Sequence, residues 1–219
     1  MNPILEQNVI GDFLLREEDA HYSRGLATVI EGAGVLKPGA VLGKRTKSSV
    51  TATPTAGNTG NGVMGTVTLG ALAKTGNYLL RCIAAATNAG TFAVFTPSGY
   101  RLADATVAAV YAGGHLNFTL ADGATDFIVG DTFTIAVTGD GKYDYAKAGA
   151  VNGLADAVAV LLVPVDTTAD DVPNVLILER DALVSTQGLI FDETIDDDDK
   201  RAAMIAGLKE VGILTVQGA

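Results

Sequence analysis

The sequence predicts a mainly β protein whose core is assembled from two separated pieces of chain. An almost purely apolar run, Ala157 to Val163, lies between a turn of small residues and Pro164. Such a run of aliphatic and β-branched residues is typical of a strand that is buried on both faces. Its expected partners are the apolar segments 39–43 and 175–178. Because one partner lies far upstream, the chain between the two pieces is expected to be an insertion.

Composition agrees with a β protein that has many tight turns. Gly occurs 26 times, Trp is absent, and 48% of the residues are hydrophobic, which is enough for a core without covalent staples. The single cysteine, Cys82, excludes an internal disulfide and argues against a metal–thiolate cluster. We expect no bound metal and no cofactor.

Charge and hydropathy limit the partners. The net charge of −10 argues against nucleic acid. No stretch is long and apolar enough to span a membrane, and the N-terminus lacks the basic start and apolar centre of a signal peptide. We therefore expect a protein that is made and used without crossing a membrane and that has no membrane partner.

An inserted domain is indicated by a change of pattern after residue 47. Short runs with alternating apolar residues, clearest in 115–120 and 132–137, are separated by turns that contain Gly, Asn and Asp. Evenly spaced short strands predict an antiparallel β-sandwich or barrel. The candidate strands are 65–69, 77–84, 91–96, 100–103, 115–120 and 132–137. The predicted organisation is an inserted β-sandwich domain, 48–140, within a domain formed by 22–47 and 141–219.

Residues 1–21 form a predicted N-terminal arm. Structure signals are weak here, yet large apolar residues are more frequent than in a solvating tail. Two interpretations stay open: a partly ordered tail or short surface helix, and an arm that becomes ordered on a partner. The residues that would make contact in the second interpretation are Ile4, Leu5, Val9, Ile10, Phe13 and Leu14.

The C-terminal part is acidic and ends in a helix and a strand. Residues 166–199 contain a single basic residue, Arg180, and eleven acidic residues: Asp166, Asp170, Asp171, Glu179, Asp181, Asp192, Glu193, Asp196, Asp197, Asp198 and Asp199. The last four of these precede a helical pattern, where carboxylates favour a helix start. Met204, Leu208 and Val211 share one helical face, Gly212 is a good terminator, and 213–216 reads as a closing strand.

No group of residues fits an enzyme site. The two histidines, His21 and His115, lie in different predicted units and have no nucleophile near them in sequence. The Gly-rich loop 58–62 is not followed by the Lys-Ser/Thr pair of a phosphate-binding loop. The run 196–200 lacks the alternating spacing of a calcium loop; it also spells an enteropeptidase recognition site, most simply by coincidence. We expect the protein not to be an enzyme.

Three stretches resemble the head decoration, or cement, proteins of tailed bacteriophages, the family of the lambda decoration protein. They are 22–44, with its Gly-Ala-Gly and Lys-Pro-Gly turns, 148–161, a turn leading into the buried strand, and 201–213, the closing helix and strand. The resemblance covers about 22–46 and 142–217, and the segment 48–140 is an insertion that small members of the family lack.

The resemblance implies a structural virion protein, made in the host cytoplasm and placed on the capsid exterior. It implies a homotrimer at three-fold and local three-fold positions that binds the major capsid protein and stabilises the expanded head. Two rival classes remain open from the residues alone. One is a carbohydrate- or host-binding β module, for which Tyr100 and Tyr111 near turns offer aromatic side chains. The other is a hydrolase, which the missing nucleophile and base disfavour.

Overall fold

The computed structural model describes residues 8–217, which divide into two compact units. Unit 1 contains the described residues 8–45 and 141–217, and unit 2 contains residues 46–140. The predicted fold class is confirmed, since both units are built mainly from strands and a helix of 13 residues precedes the last strand. No helix in the described part of the chain is both long and apolar enough to cross a membrane.

Eighteen strands and two α-helices are present in the described residues, with 3-10 turns at Ile10–Asp12 and Thr186–Gly188. In chain order they are β1 (Leu14–Glu17), α1 (Ala20–Ser23), β2 (Arg24–Val29), β3 (Val35–Leu36), β4 (Val41–Lys44), β5 (Ser49–Pro54), β6 (Thr68–Leu69), β7 (Gly76–Ala86), β8 (Ala89–Phe95), β9 (Ala105–Thr106), β10 (Val110–Ala112), β11 (Leu116–Thr119), β12 (Thr132–Thr138), β13 (Tyr143–Tyr145), β14 (Ala157–Leu161), β15 (Val165–Asp166), β16 (Val172–Leu178), β17 (Ala182–Ser185), α2 (Asp198–Glu210) and β18 (Ile213–Val216).

A closed barrel in the order β13-β2-β16-β14-β4 forms the centre of unit 1. Strand β14 pairs antiparallel with β4 on one side and β16 on the other, so both predicted partners of the apolar run are confirmed. Ala159 and Leu161 of β14 belong to the cluster that fills the barrel. Val160 and Leu162 belong to a second cluster that includes side chains of α2. The run lacks alternation because each of its faces has its own core.

A second layer covers the outside of the barrel. It consists of the three-stranded sheet β1-β17-β18 and helix α2. The predicted helical face is confirmed, because Met204 and Leu208 are buried in the second cluster and Val211 packs against it. Gly212 follows with a φ of +83°, a left-handed conformation that Gly adopts at little cost. The chain then turns back into β18, parallel to β17.

Unit 2 contains a five-stranded sheet, β5-β12-β7-β8-β9, and a three-stranded sheet, β10-β11-β6. Inward-facing residues of both sheets share one buried cluster, which makes the unit a β-sandwich. Its centre is aromatic: the rings of Phe92, Phe127 and Phe133 meet edge to face at centroid distances of 5.1–6.0 Å. Cys82 is fully buried in the same cluster, as expected of a small core residue.

Several short or outer strands of unit 2 differ from the predicted strands. Strand β5 lies in a Ser/Thr-rich stretch that is not among the candidate strands. Only Val50 and Ala52 mark its inner face, and Pro54 ends it at the sheet edge, where Pro is tolerated. Residues 100–103 form no strand, because the turn after β8 leaves a single bridge between Phe95 and Arg101. The short strands β9 and β10 have too few residues to show a period.

The chain leaves and re-enters unit 1 at two points that lie side by side. The Arg45 N–H donates to the Lys142 carbonyl at 2.8 Å, and the Gly141 N–H donates to the Arg45 carbonyl at 3.1 Å. Unit 2 begins and ends in the same manner, since Ser48 N–H donates to the Thr138 carbonyl at 2.7 Å beside the β5–β12 pair. Each unit therefore keeps its own two chain ends together.

Candidate functional site

Residues 8–12 lie on unit 1 and are held by side-chain hydrogen bonds. Asn8 donates through Nδ2 to the carbonyls of Pro38 and Gly188, at 3.2 and 3.1 Å. The Val9 N–H donates to Oδ2 of Asp12 at 2.7 Å, which closes the 3-10 turn. These contacts fix the position at which the preceding residues join the unit.

Phe13 is a core residue of unit 1, which corrects its assignment to a free arm. Its side chain is fully buried in the cluster outside the barrel, and its carbonyl accepts the Ser185 N–H at 2.7 Å. A Cβ on Gly188 would lie 2.6 Å from the Cβ of Phe13 and 2.7 Å from the Asp12 carbonyl oxygen, so Gly at that position allows the turn to approach residues 12 and 13 closely. A ring that is fully buried in the core is not available for a contact with a partner.

Strand β1, which follows Phe13, is also attached to unit 1 and therefore does not belong to a free arm. It pairs with β17 as an edge strand, with a register shift between Leu14 and Arg16. Glu17 and Arg24 form a two-pronged ion pair at 2.8 and 2.6 Å, partly shielded from solvent. Leu15 points outward and is 45% exposed. Residues 13–17 are thus part of the folded unit.

The six predicted contact residues do not share one environment. Val9 is 57% exposed, whereas Ile10 and Leu14 are half-buried against the same cluster as Phe13. Ile4 and Leu5 lie outside the described residues. The sequence could not separate these cases, because the apolar residues of this segment follow neither a helical nor a strand period.

A groove that sequence reasoning missed runs along the start of α2. It has a volume of about 950 Å³ and lies between segment 186–196 and the first turns of the helix. Leu189 and Ile195 at its base are buried, and Phe191 and Ile205 are half-buried. Four acids, Asp192, Glu193, Asp196 and Asp198, and one base, Arg201, line it as well. The acidic run 166–199 is the sequence feature that could have indicated this groove. The apolar residues of the groove come from segment 186–196 and from α2, so the sequence alone does not show that they lie together.

The run 196–200 starts a helix and does not form a metal site. Asp197 is the N-cap of α2, and its Oδ1 accepts the Lys200 N–H at 2.7 Å. Asp196 pairs with Lys200 Nζ at 2.5 Å, and this hydrogen bond lowers the pKa of Asp196. The pKa of Asp197 is lowered mainly by the Lys200 N–H. No group of three or more His, Cys, Asp or Glu side chains within residues 8–217 could hold a metal ion.

The Gly-rich loop 58–62 is held by protein groups. Oδ1 of Asp131 accepts the Thr59 N–H at 2.9 Å, and its Oδ2 accepts the N–H groups of Gly60 at 2.9 Å and Ile128 at 3.1 Å. A Cβ on Gly60 would lie 2.3 Å from the ring of Phe127, so the loop needs Gly for close packing. The backbone N–H groups of Thr59 and Gly60 are therefore occupied within unit 2.

The histidines and tyrosines singled out from the sequence offer no joint site. His21 is exposed, whereas Nδ1 of His115 lies 3.1 Å from the Tyr78 hydroxyl at the edge of the sandwich core. Burial, with a smaller effect from Lys74, lowers the pKa of His115. Tyr111 is not an exposed aromatic, since it is 5% exposed and stacks on Phe118 at 4.7 Å between centroids. Tyr100 alone of the two tyrosines stays on the surface, 72% exposed.

Three solved structures of flagellar proteins show a weak likeness. Two crystal forms of FlgL from Xanthomonas campestris match 49% of this chain and 34% or 33% of theirs, at 20% or 19% identity and a TM-score of 0.34. The hook junction protein FlgK from Burkholderia pseudomallei matches 61% of this chain and 22% of its own, at 21% identity and a TM-score of 0.34. The chain thus spans about a third of FlgL. So low a TM-score establishes neither fold nor function.

The family comparison covers nearly the whole chain. A search of curated proteins finds no match. The model of the family described as bacteriophage lambda head decoration protein D matches residues 3–213, which include the barrel strands, the sandwich and α2 and end at the first residue of β18. The chain belongs to the bacteriophage lambda head decoration protein D family.

Proposed function

We propose that this chain is a structural virion protein that cements the outer surface of a bacteriophage head. The observation that carries the proposal is the family match over residues 3–213. Head decoration implies binding to the capsid from its exterior. The folded units agree with a structural role, because each of them encloses its own buried apolar core. The proposed partner is the major capsid protein.

The proposed assembly is a homotrimer at three-fold and local three-fold positions of the expanded head. A cyclic three-fold assembly matches the symmetry of those positions. Segments 22–46 and 165–195 are proposed to supply the contacts between copies. Large apolar side chains are exposed in the first of them: Tyr22 at 53%, Leu26 at 66% and Val35 at 63%. Their exposure supports an interface there.

The proposed grip on the shell comes from Val9 and the residues before it, including Ile4 and Leu5. An extended segment can add to a sheet edge of a capsid subunit, with main-chain hydrogen bonds for affinity and alternate side chains for register. Ordering costs on the order of 1 kcal/mol per residue, so one segment would bind weakly. Three segments on one trimer would raise the effective concentration and offset that cost. Phe13 and β1 are excluded from the grip, because they belong to unit 1.

Sedimentation and co-pelleting with expanded heads test these proposals separately. The full chain should sediment as a trimer, on its own or on the shell, and should pellet with heads. Deletion of residues 2–7 leaves Asn8 and Phe13 in place, so the variant should fold and trimerise but bind heads more weakly. Equal binding by this variant would remove the grip and leave decoration standing. Failure of the full chain to bind heads would refute the decoration itself.

A further inference from the structure

We propose that the groove beside α2, which we call the acidic groove, is a docking site for a basic amphipathic segment of the capsid protein. The acidic groove lies between segment 186–196 and the first turns of α2. The inference rests on the proposed decoration function and deepens it by naming the chemistry of the partner segment. A segment that fits would carry apolar side chains on one face and Lys or Arg beside them.

The floor of the acidic groove is apolar and accessible. Ile195 and Leu189 are 3% and 8% exposed, so they give the floor a rigid base. Phe191 and Ile205 are half-buried, and the small side chain of Ala202 is exposed above them. A second groove of about 600 Å³ shares Ala202 and Ile205 and is lined further by Leu214 and Val216. The last two are 49% and 38% exposed, so the apolar floor continues toward the edge strand β18.

The rim of the acidic groove is negative, with four acids to one base. Asp192 uses Oδ1 to accept the Thr194 N–H at 3.0 Å, which holds its carboxylate in place. Neither Asp192 nor Glu193 forms an ion pair within the described part of the chain. Asp196 is paired with Lys200, and Asp198 lies 4.0 Å from Arg201. Asp192 and Glu193 are therefore the two rim charges that remain to be matched by a partner.

Charge complementarity distinguishes between three possible occupants of the acidic groove. A second copy of this chain also carries a net charge of −10, so like charges oppose its docking in the acidic groove, and the proposed contacts between copies are assigned to residues 165–185 of segment 165–195. A purely apolar segment would desolvate the carboxylates without replacing their hydration. Lys and Arg can lay their alkyl stems along an apolar floor and place their charged ends at carboxylates. A basic amphipathic segment satisfies both the floor and the rim.

Matched charge variants of the full chain test the groove on expanded heads. Asp192→Asn with Glu193→Gln removes two rim charges and keeps the hydrogen-bond acceptor that closes the turn at Thr194. Asp156→Asn with Glu210→Gln removes two exposed charges of unit 1 outside the acidic groove and outside the proposed contact segments 22–46 and 165–195. The rim variant should bind heads about ten-fold more weakly, with a smaller salt dependence, and the control should bind like the wild type. Equal binding of all three would overturn the inference while decoration stands.

A binding measurement with peptides tests the acidic groove even if the chain does not bind to heads. An unlabelled Leu-Lys amphipathic peptide, with a Leu-Glu peptide as its counterpart, is titrated onto the isotope-labelled free protein, and the protein is followed by NMR. Only the Leu-Lys peptide should bind, with shifts centred on Phe191, Ile195 and Ile205, and Ala202→Arg should abolish the binding. Shifts spread over other acidic surfaces, or equal binding to Ala202→Arg, would refute the groove. A rim variant that loses trimer formation but keeps peptide binding would assign the groove to a second copy and would also refute it.

Discussion

Phe13 holds the N-terminal segment to unit 1, although its neighbour Val9 is 57% exposed. Replacing Phe13 by Ala would leave a cavity in the cluster outside the barrel and should lower the local free energy of unfolding by about 3–5 kcal/mol. Val9→Ala should change it by less than about 0.5 kcal/mol. Hydrogen exchange at the Ser185 amide, which donates to the Phe13 carbonyl, is the measurement. Equal exchange in both variants would mean that the ring is not in the core.

Asp131 is the residue that holds the Gly-rich loop 58–62 within unit 2. It is 4% exposed and accepts three backbone N–H groups, so Asp131→Ala leaves these donors without a partner. The expected loss is about 2–4 kcal/mol in the unfolding free energy of unit 2. Asp126 is the control, because it is half-buried and accepts a single N–H, that of Asn88, in a solvent-exposed hydrogen bond. Denaturant unfolding of both variants should show a loss for Asp126→Ala of no more than about 1 kcal/mol; a similar loss for both would contradict the assignment.

The same carboxylate gives the sandwich an acid-sensitive contribution. Burial raises the pKa of Asp131, but the three backbone donors outweigh it and lower the pKa below the ordinary value of 3.8. Because the folded pKa is lower than the unfolded one, the stabilisation is complete above the unfolded pKa. It is lost as the pH falls through the folded pKa. The stability difference between wild type and Asp131→Ala should therefore shrink below about pH 4.

At the scale of the elements, the sequence predicts correctly those strands and helices whose hydrophobic pattern is set by their own burial. The run at β14 has two buried faces, and α2 has a single apolar face next to a carboxylate-rich start, so both are predicted correctly. Strand β1 is missed, because four residues with two charges show no alternation. The parallel pair β17–β18 and the acidic groove are missed for a different reason. They arise where α2 brings distant segments together, and sequence spacing does not encode that placement.

The start of α2 supplies a prediction at this scale. Asp197→Ala removes the side-chain acceptor for the Lys200 N–H and the contact with Lys200 Nζ at 3.3 Å. Amides of the first helical turn should then exchange several-fold faster, as expected on loss of an N-cap. Asp199→Ala removes an equal charge from the first turn without removing the cap. Similar exchange in both variants would show that the charge, not the hydrogen bond, stabilises the helix start.

For the whole molecule, the two units are predicted to fold independently. Residues 46–140 can be replaced by a short Gly-Ser link, because the Arg45 and Gly141 ends are already hydrogen-bonded neighbours. The closure cost depends only weakly on length, and unit 1 keeps both of its clusters. Circular dichroism should show a cooperatively folded β protein. An unfolded product would mean that unit 1 requires the sandwich.

The most direct measurement of the central claim is the heat resistance of expanded phage heads that lack their decoration protein. Heads incubated with the purified chain should release their contents at a higher temperature than bare heads. The gain should saturate as three-fold and local three-fold positions fill. Heads that bind the chain without any gain would show a decorating protein that does not cement. Heads that neither bind the chain nor gain resistance would contradict the account.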